Sequence, residues 1–215
     1  MPVTIPDHLV ERYRIFEALP DICFQVQLYD WLRVHQPRVV VETGINTAVG
    51  SIWILRALEL GPNHVGRLYS VEHRPQHYFS HEQWTTFIGP SHEKLLDVYR
   101  KSGRWQFFIH DSDHEVGCTT FEYELAWRLT DAGGHIASDD IGWGTPPHFA
   151  WQAFCKRYNL KPIVLGSIEI VQKPATAERP IVGDNAWLLK QHRAAAELAN
   201  AACKEYGVEP YLALK

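Results

Sequence analysis

The sequence predicts an α/β fold: a mostly parallel, seven-stranded sheet with helices on both faces, finished by an antiparallel hairpin. Two observations predict it. Between residues 38 and 138, strand-like runs alternate with runs of helical spacing, the pattern of a parallel sheet covered on both sides. Further on, residues 162–165 and 168–171 are β-rich and flank Gly166-Ser167. Parallel strands cannot be joined by two residues, so one member of this pair runs antiparallel.

The first strand is 38–42, Arg-Val-Val-Val-Glu, β-branched and continuous as a doubly buried strand should be. Helical spacing follows from Gly50 to Leu60, with Ile52, Leu55 and Leu58 on one side, and stops at the turn cluster Gly61-Pro62-Asn63. Strands are expected at 67–72 and at 84–88, the latter closed by Gly89-Pro90, and a helix over 93–100 leads into a fourth strand at 106–110. A helix over 119–129 is expected to end at Ala132-Gly133-Gly134, where glycine terminates helices. The fifth strand is then 135–138, and a helix over 149–158 precedes the hairpin. In the tail, Pro174, Pro180 and Gly183 interrupt the chain before a helix over 185–206. The stretch up to Gln36 reads as two helices, the second carrying Phe24, Leu28, Trp31 and Leu32. The 215 residues are thus expected to form one domain: an N-terminal helical cap (1–36), a core (37–172) and a C-terminal helical extension (173–215).

A net charge of −4 argues against a surface that coats nucleic acid. No apolar run is long enough to cross a bilayer, and the first residues lack both a basic leader and an apolar signal core. Cys23, Cys118, Cys155 and Cys203 lie far apart without metal-binding spacing. A soluble cytoplasmic protein with reduced thiols is expected, Cys118 and Cys155 being packed within helices.

Ligands of parallel α/β sheets bind beyond the carboxyl ends of the strands. Applied here, that rule collects Glu42-Thr43-Gly44 after the first strand, with Ala48, Gly50 and Ser51 opening the next helix without bulk. Glu72 ends the second strand, a carboxylate placed to accept hydrogen bonds from a ribose diol, and Gly89-Pro90-Ser91 follows the third. Asp111 and Asp113 follow the fourth strand, and Asp139-Asp140 the fifth. In the expected order these two strand ends are neighbours. Like charges so close raise each other's pKa unless a cation neutralises them, and Mg²⁺ or another hard divalent cation takes oxygen ligands. His114 follows on the turn opening the next helix, where a histidine can act as a general base. Trp143, Phe149 and Trp151 follow Asp140 and can wall a substrate pocket, although core packing is the commoner fate of each.

These segments resemble successive motifs of the class I S-adenosylmethionine-dependent methyltransferases: Val40-Val41-Glu42-Thr43-Gly44, Tyr69-Ser70-Val71-Glu72, Ile109-His110-Asp111-Ser112-Asp113-His114, and residues 132–140 with their paired glycines and paired aspartates. The similarity is strongest to metal-dependent small-molecule O-methyltransferases, including sugar methyltransferases of macrolide biosynthesis, and spans residues 38–172. It implies a Rossmann-like methyltransferase fold whose sheet also ends in an antiparallel hairpin. It implies S-adenosylmethionine as cofactor, held by Glu42, Thr43, Gly44 and Ser51 at the methionine end, Glu72 at the ribose, and Gly89 and Ser91 near the adenine, with Asp111 beside it. Asp111, Asp139 and Asp140 match metal-ligand positions, and His114 matches a general base. The second glycine of the family's first motif is replaced by Ala48, with Gly50 displaced. The implied acceptor is a small hydroxylated molecule (sugar, phenol or vicinal diol), with no nucleic-acid or membrane partner, and the flanking helices are of the kind that serve homodimers. Two other readings stand beside this one. A nicotinamide-dependent enzyme is compatible with Glu72 but lacks GxGxxG, and a non-catalytic binding protein on the same fold would leave the clustered acids unexplained.

Overall fold

The computed structural model describes residues 10, 14, 24–60, 65–74, 79–142 and 144–212. In chain order its elements are α1 (Phe24–His35), β1 (Val39–Thr43), α2 (Val49–Glu59), β2 (Arg67–Glu72), β3 (Trp84–Ile88), α3 (Ser91–Ser102) and β4 (Trp105–His110). They continue with α4 (Val116–Leu129), β5 (Thr130–Ser138), α5 (Pro146–Arg157), β6 (Ile163–Leu165), β7 (Ile168–Gln172) and α6 (Asn185–Glu205). The first of the two expected N-terminal helices and the turn at 61–63 lie outside the described residues.

The seven strands form one sheet in the order β3-β2-β1-β4-β5-β7-β6. Strands β3, β2, β1, β4 and β5 run parallel, while β7 is antiparallel to both β5 and β6. The reversal in β1's neighbourhood, with β2 on one side and β4 on the other, is a topological switch point of the kind where such sheets bind ligands.

Alternation along the strands sorts their side chains into two layers. Val40, Leu68, Phe107, Ile109 and Ala137 pack against Leu28 and Leu32 of α1 and Ile54, Leu55 and Leu58 of α2. Val41, Tyr69, Phe108 and Ile136, one residue along, face the opposite layer with Leu95 of α3, Phe121 and Leu125 of α4, Phe154 of α5 and Ala195 and Ala199 of α6. Burying a Leu, Ile or Phe side chain contributes about 1.5–3 kcal/mol, so a one-residue slip of any central strand would invert both layers at once. Cys118, Cys155 and Cys203 are buried, unpaired thiols.

Several helices begin earlier than their apolar spacing suggests. Pro146 and Pro147 occupy the first turn of α5, where proline fits, and the Thr145 hydroxyl accepts from the His148 N–H. Asp184 caps α6 in the same way, accepting from the Trp187 N–H at 2.9 Å. The end of α4 corrects the sequence reading more substantially. Gly133 and Gly134 do not terminate the helix; it ends at Leu129 and the chain passes straight into a nine-residue β5. The buried Lys173 Nζ donates to the carbonyls of Trp127 and Thr130, both at 2.8 Å, and so satisfies the helix end that a glycine cap would otherwise serve. Gly133, at φ 82°, instead lies within β5, where its pairing with β4 shifts register.

Among the described residues no helix is long and apolar enough to cross a membrane.

Candidate active site

The carboxyl ends of β1, β2 and β4 are knitted together by backbone bonds. The Gly44 N–H donates to Val71 O at 2.9 Å and the Asp111 N–H to Thr43 O at 3.0 Å. Gly44, at φ 84°, has a particular reason to be glycine: a Cβ there would lie 1.8 Å from the Asp111 carbonyl oxygen. The first contact that needs this glycine is therefore the neighbouring strand end rather than a ligand. The loop then takes Asn46 and Ala48 through the left-handed region, at φ 46° and 65°. Ala48 thus adopts the conformation that a glycine would take at that position, and the replacement leaves α2 able to start at Val49. Glu72 pins this loop. Its Oε2 accepts from the N–H groups of Ile45 (3.0 Å) and Asn46 (3.1 Å), and its Oε1 from the Arg74 N–H (3.1 Å).

A cavity of about 620 Å³ opens above these strand ends, within the size range of small-molecule sites. Of the residues expected to hold the cofactor, Thr43, Gly44, Glu72, Gly89, Ser91 and Asp111 line it. Glu42 and Ser51 do not. Both are buried beneath it, where Glu42 Oε2 accepts from the hydroxyls of Ser51 and Ser70, each at 2.7 Å. Burial pushes the Glu42 carboxyl up to about 7, against the pull of those two hydroxyls.

Asp111 and Asp140 line the cavity and Asp139 is buried next to them, each of the three offering a carboxylate oxygen within 4.8 Å of the others. Burial, with the charges of Asp139, Glu42 and Asp140 adding to it, pushes the Asp111 carboxyl up to about 9. Asp139 is pushed up to about 6, mainly by burial, and its Oδ1 accepts from the Ser167 hydroxyl at 3.2 Å. The resistance of Asp111 and Asp139 to ionisation is what a hard divalent cation would relieve, and the all-oxygen donor set of the three carboxyls suits Mg²⁺. His114 Nε2 lies 2.8 Å from Asp140 Oδ2, both side chains being about half exposed.

The sequence reading missed Glu122. It projects from α4, fully buried, into the floor of the cavity. Its carboxylate receives the Thr43 hydroxyl at 2.6 Å, His110 Nδ1 at 2.7 Å and the Ser112 hydroxyl at 3.0 Å. Burial alone would raise its pKa; the His110 hydrogen bond and charge outweigh that and hold it below the ordinary value. Two glutamates, Glu122 and Glu124, within a helix whose residues are almost all buried were the available signal, and nothing in the sequence separates the first from the second. Tyr211, from beyond α6, was also missed: it lines the cavity beside Ser91 and His92, and no motif marks it. Trp151 is core, its indole N–H donating to Glu169 at 2.7 Å, whereas Phe149 is partly exposed at the surface of α5. Trp143 lies outside the described residues.

Sheet order, terminal hairpin and a ligand cavity across the β1 switch point define a class I methyltransferase fold. Residues 41–141, just under half of the chain, match the family model described as a methyltransferase domain. Solved structures agree in fold. The O-methyltransferase TomG of Streptomyces achromogenes, in complex with SAM, is 15% identical with a TM-score of 0.56, over 80% of this chain and 92% of that one. An O-methyltransferase from Bacillus cereus, in complex with SAH, is 16% identical with a TM-score of 0.53, over 80% of this chain and 94% of the other. MycE of the mycinamycin pathway, in complex with Mg and SAH, is 16% identical with a TM-score of 0.58; the match covers 87% of this chain but only 59% of MycE. No curated protein sequence matches the chain.

Proposed function

We propose that the protein transfers the methyl group of S-adenosylmethionine to a hydroxyl of a small molecule, with a divalent cation at Asp111, Asp139 and Asp140. The convergence of these three carboxyls within 4.8 Å, two of them lining the same cavity as Glu72 and Ser91, carries the reading. Glu72 retains lone pairs for a ribose diol even while it pins the 45–46 backbone. Gly89 and Ser91, at the start of α3, border the part of the cavity left for the base. Mg²⁺, found in the MycE complex, would make a hydroxyl it contacts more acidic.

His114 is the base. Bonded to Asp140 through Nε2, it carries its proton there and offers Nδ1 as acceptor. The hydroxyl proton passes to His114, the oxygen forms its bond to the methyl carbon, and the carbon–sulfur bond breaks with its electron pair returning to sulfur. S-adenosylhomocysteine and the methyl ether leave, and His114 gives its proton to water. The chain's own contribution is mainly to hold the two reactants in line.

Calorimetric titration with S-adenosylhomocysteine, with and without Mg²⁺, tests the cofactor. Micromolar binding is expected, and the Asp139→Ala protein should keep it while losing turnover of hydroxylated acceptors. Absence of binding in both conditions, or an Asp139→Ala enzyme active in chelator, removes the respective half of the proposal.

A further inference from the structure

At the amino ends of the strands, remote from the cavity at their carboxyl ends, buried donors gather without acceptors. Trp105 opens β4 and Thr130 opens β5, and the two pair across the sheet. The Tyr99 ring of α3 lies 6.3 Å from that of Trp105 and 6.1 Å from that of Trp187 in α6. Arg128 stands in the last turn of α4, just before Thr130. Tyr99, Trp105 and Thr130 are buried residues. Their polar atoms (the two hydroxyls and the indole N–H) and the Arg128 Nε–H are buried, and among the described residues none of the four has a hydrogen-bond partner. Indole and guanidinium groups only donate, and the hydroxyls can donate as well. Buried polar groups are nearly always met, so four together call for an acceptor-rich guest.

Arg128 and Trp187 join this cluster to a pocket of about 130 Å³ that Lys173 and Arg179 also line. Lys173 uses two of its three N–H groups on the Trp127 and Thr130 carbonyls, both neutral, and burial pushes its pKa down to about 8. Arg128 Nη2 lies 3.8 Å from Glu124 Oε2, too far for a hydrogen bond, and that carboxylate is already taken by Arg157 and by the Tyr158 hydroxyl. Two acids oppose these cations: Glu178 lines the pocket, and Asp131 Oδ1 lies 3.8 Å from Arg179 Nε. The partial charges of α4's last turn and α6's first turn offset each other. Lys173, Arg128 and Arg179 therefore outnumber the acids.

We propose that this pocket is an oxyanion site, distinct from the methyl-transfer site, and that it takes phosphate, free or as the group of a small monoester. A water takes about 30 Å³, so the pocket has room for one ion of this size. A carboxylate offers about four lone-pair positions, fewer than the four orphaned groups and the third Lys173 N–H together, whereas a tetrahedral oxyanion presents oxygens on every side. The guanidinium fork also matches phosphate geometry. Helix α4, about 21 Å long, carries Arg128 at one end and Cys118 of the first cavity at the other. The proposal therefore stands whether or not the chain transfers methyl groups.

The test uses the full-length protein in chelator, titrated calorimetrically and melted with sodium phosphate, glycerol 3-phosphate or sodium acetate, ionic strength being held constant with chloride. Saturable phosphate binding is expected, with a rise in melting temperature of about 3–6 °C at ten times its Kd. Acetate should bind more weakly. Equal or tighter binding of glycerol 3-phosphate assigns the site to a monoester, and binding of inorganic phosphate alone assigns it to the free ion. Arg128→Met should weaken binding at least about ten-fold, the loss expected for a charge-assisted hydrogen bond. Its melting temperature in chloride reports whether it folds. Arg179→Ala, at an exposed side chain, should weaken binding about three-fold or more and serves as the comparison if Arg128→Met melts far below wild type. Phosphate that stabilises no more than chloride, or that binds both variants as tightly as wild type, overturns the site and leaves the buried donors to water.

Discussion

Replacing Asp111 with Asn should make the cation-free protein more stable, and by an amount that grows with pH. In the fold this carboxyl is held at about 9 by burial and by its acidic neighbours, against 3.8 for an ordinary aspartate. A folded-state value raised above the unfolded one contributes its stability only below the unfolded value and loses it as pH climbs toward the folded one. From pH 3.8 to 7 is about three units, and at about 1.4 kcal/mol each the unfolded state gains on the order of 4 kcal/mol. Partial exposure and the sharing of charge among Asp111, Asp139 and Asp140 make this an upper figure. For a chain of this length 1 kcal/mol moves the melting temperature by about 2–4 °C, so Asp111→Asn should melt roughly 10 °C above wild type at pH 7 in chelator. Below about pH 4 the two should converge. Saturating Mg²⁺ should reverse the order at pH 8, because bound cation favours the ionised trio and Asn supplies one charge fewer. Scanning fluorimetry at several pH values, with chelator or with Mg²⁺, decides the matter. Parallel pH profiles for the two proteins in chelator would refute the claim that the Asp111 carboxyl resists ionisation in the fold.

Two further outcomes concern the frame around the site. Gly44→Ala forces a Cβ to within 1.8 Å of the Asp111 carbonyl at φ 84°. Separating β1 from β4 at that point should cost at least about 3 kcal/mol by chemical denaturation, whereas Gly142→Ala, which meets nothing within 4 Å, should stay within about 0.5 kcal/mol of wild type. His135 packs beside Trp31, His35 and Phe107, and burial, with His35 adding to it, lowers its pKa from 6.5 to about 4. Its neutral form is the folded one, so its stability is intact above pH 6.5 and lost as pH falls toward 4. Relative to His135→Gln, wild type should therefore lose about 2 kcal/mol across that window, a figure reduced for partial exposure. Equal acid sensitivity of the two proteins would show that this histidine is not the responsible group.

Much of this architecture was legible from local pattern. β2 and β3 fall at the residues their β-branched and aromatic runs indicate, and the hairpin turn at 166–167 announced the one reversed strand. The acids after β4 and β5 could be brought together from sequence because adjacent parallel strands place their carboxyl ends side by side. What could not be read depends on contacts between distant segments. The end of α4 is satisfied by Lys173, 44 residues beyond Leu129, so the nearby glycines pointed to the wrong boundary. Glu42 has the sequence position of a ligand-binding residue, yet its bonds to Ser51 and Ser70 hold it buried beneath the cavity. Tyr211 reaches the cavity only because α6 packs against α4 and carries the chain back to it.

The candidate site is framed by contacts between strand ends: Gly44 touches the Asp111 backbone, Glu72 holds the 45–46 loop, and Glu122 gathers Thr43, His110 and Ser112. Each of these contacts joins one strand end to another or to α4, so displacing any of them disturbs the carboxyl trio and the cavity together. Chemistry that depends on in-line approach needs that rigidity, because a misplacement of about 1 Å can cost a hundred-fold in rate.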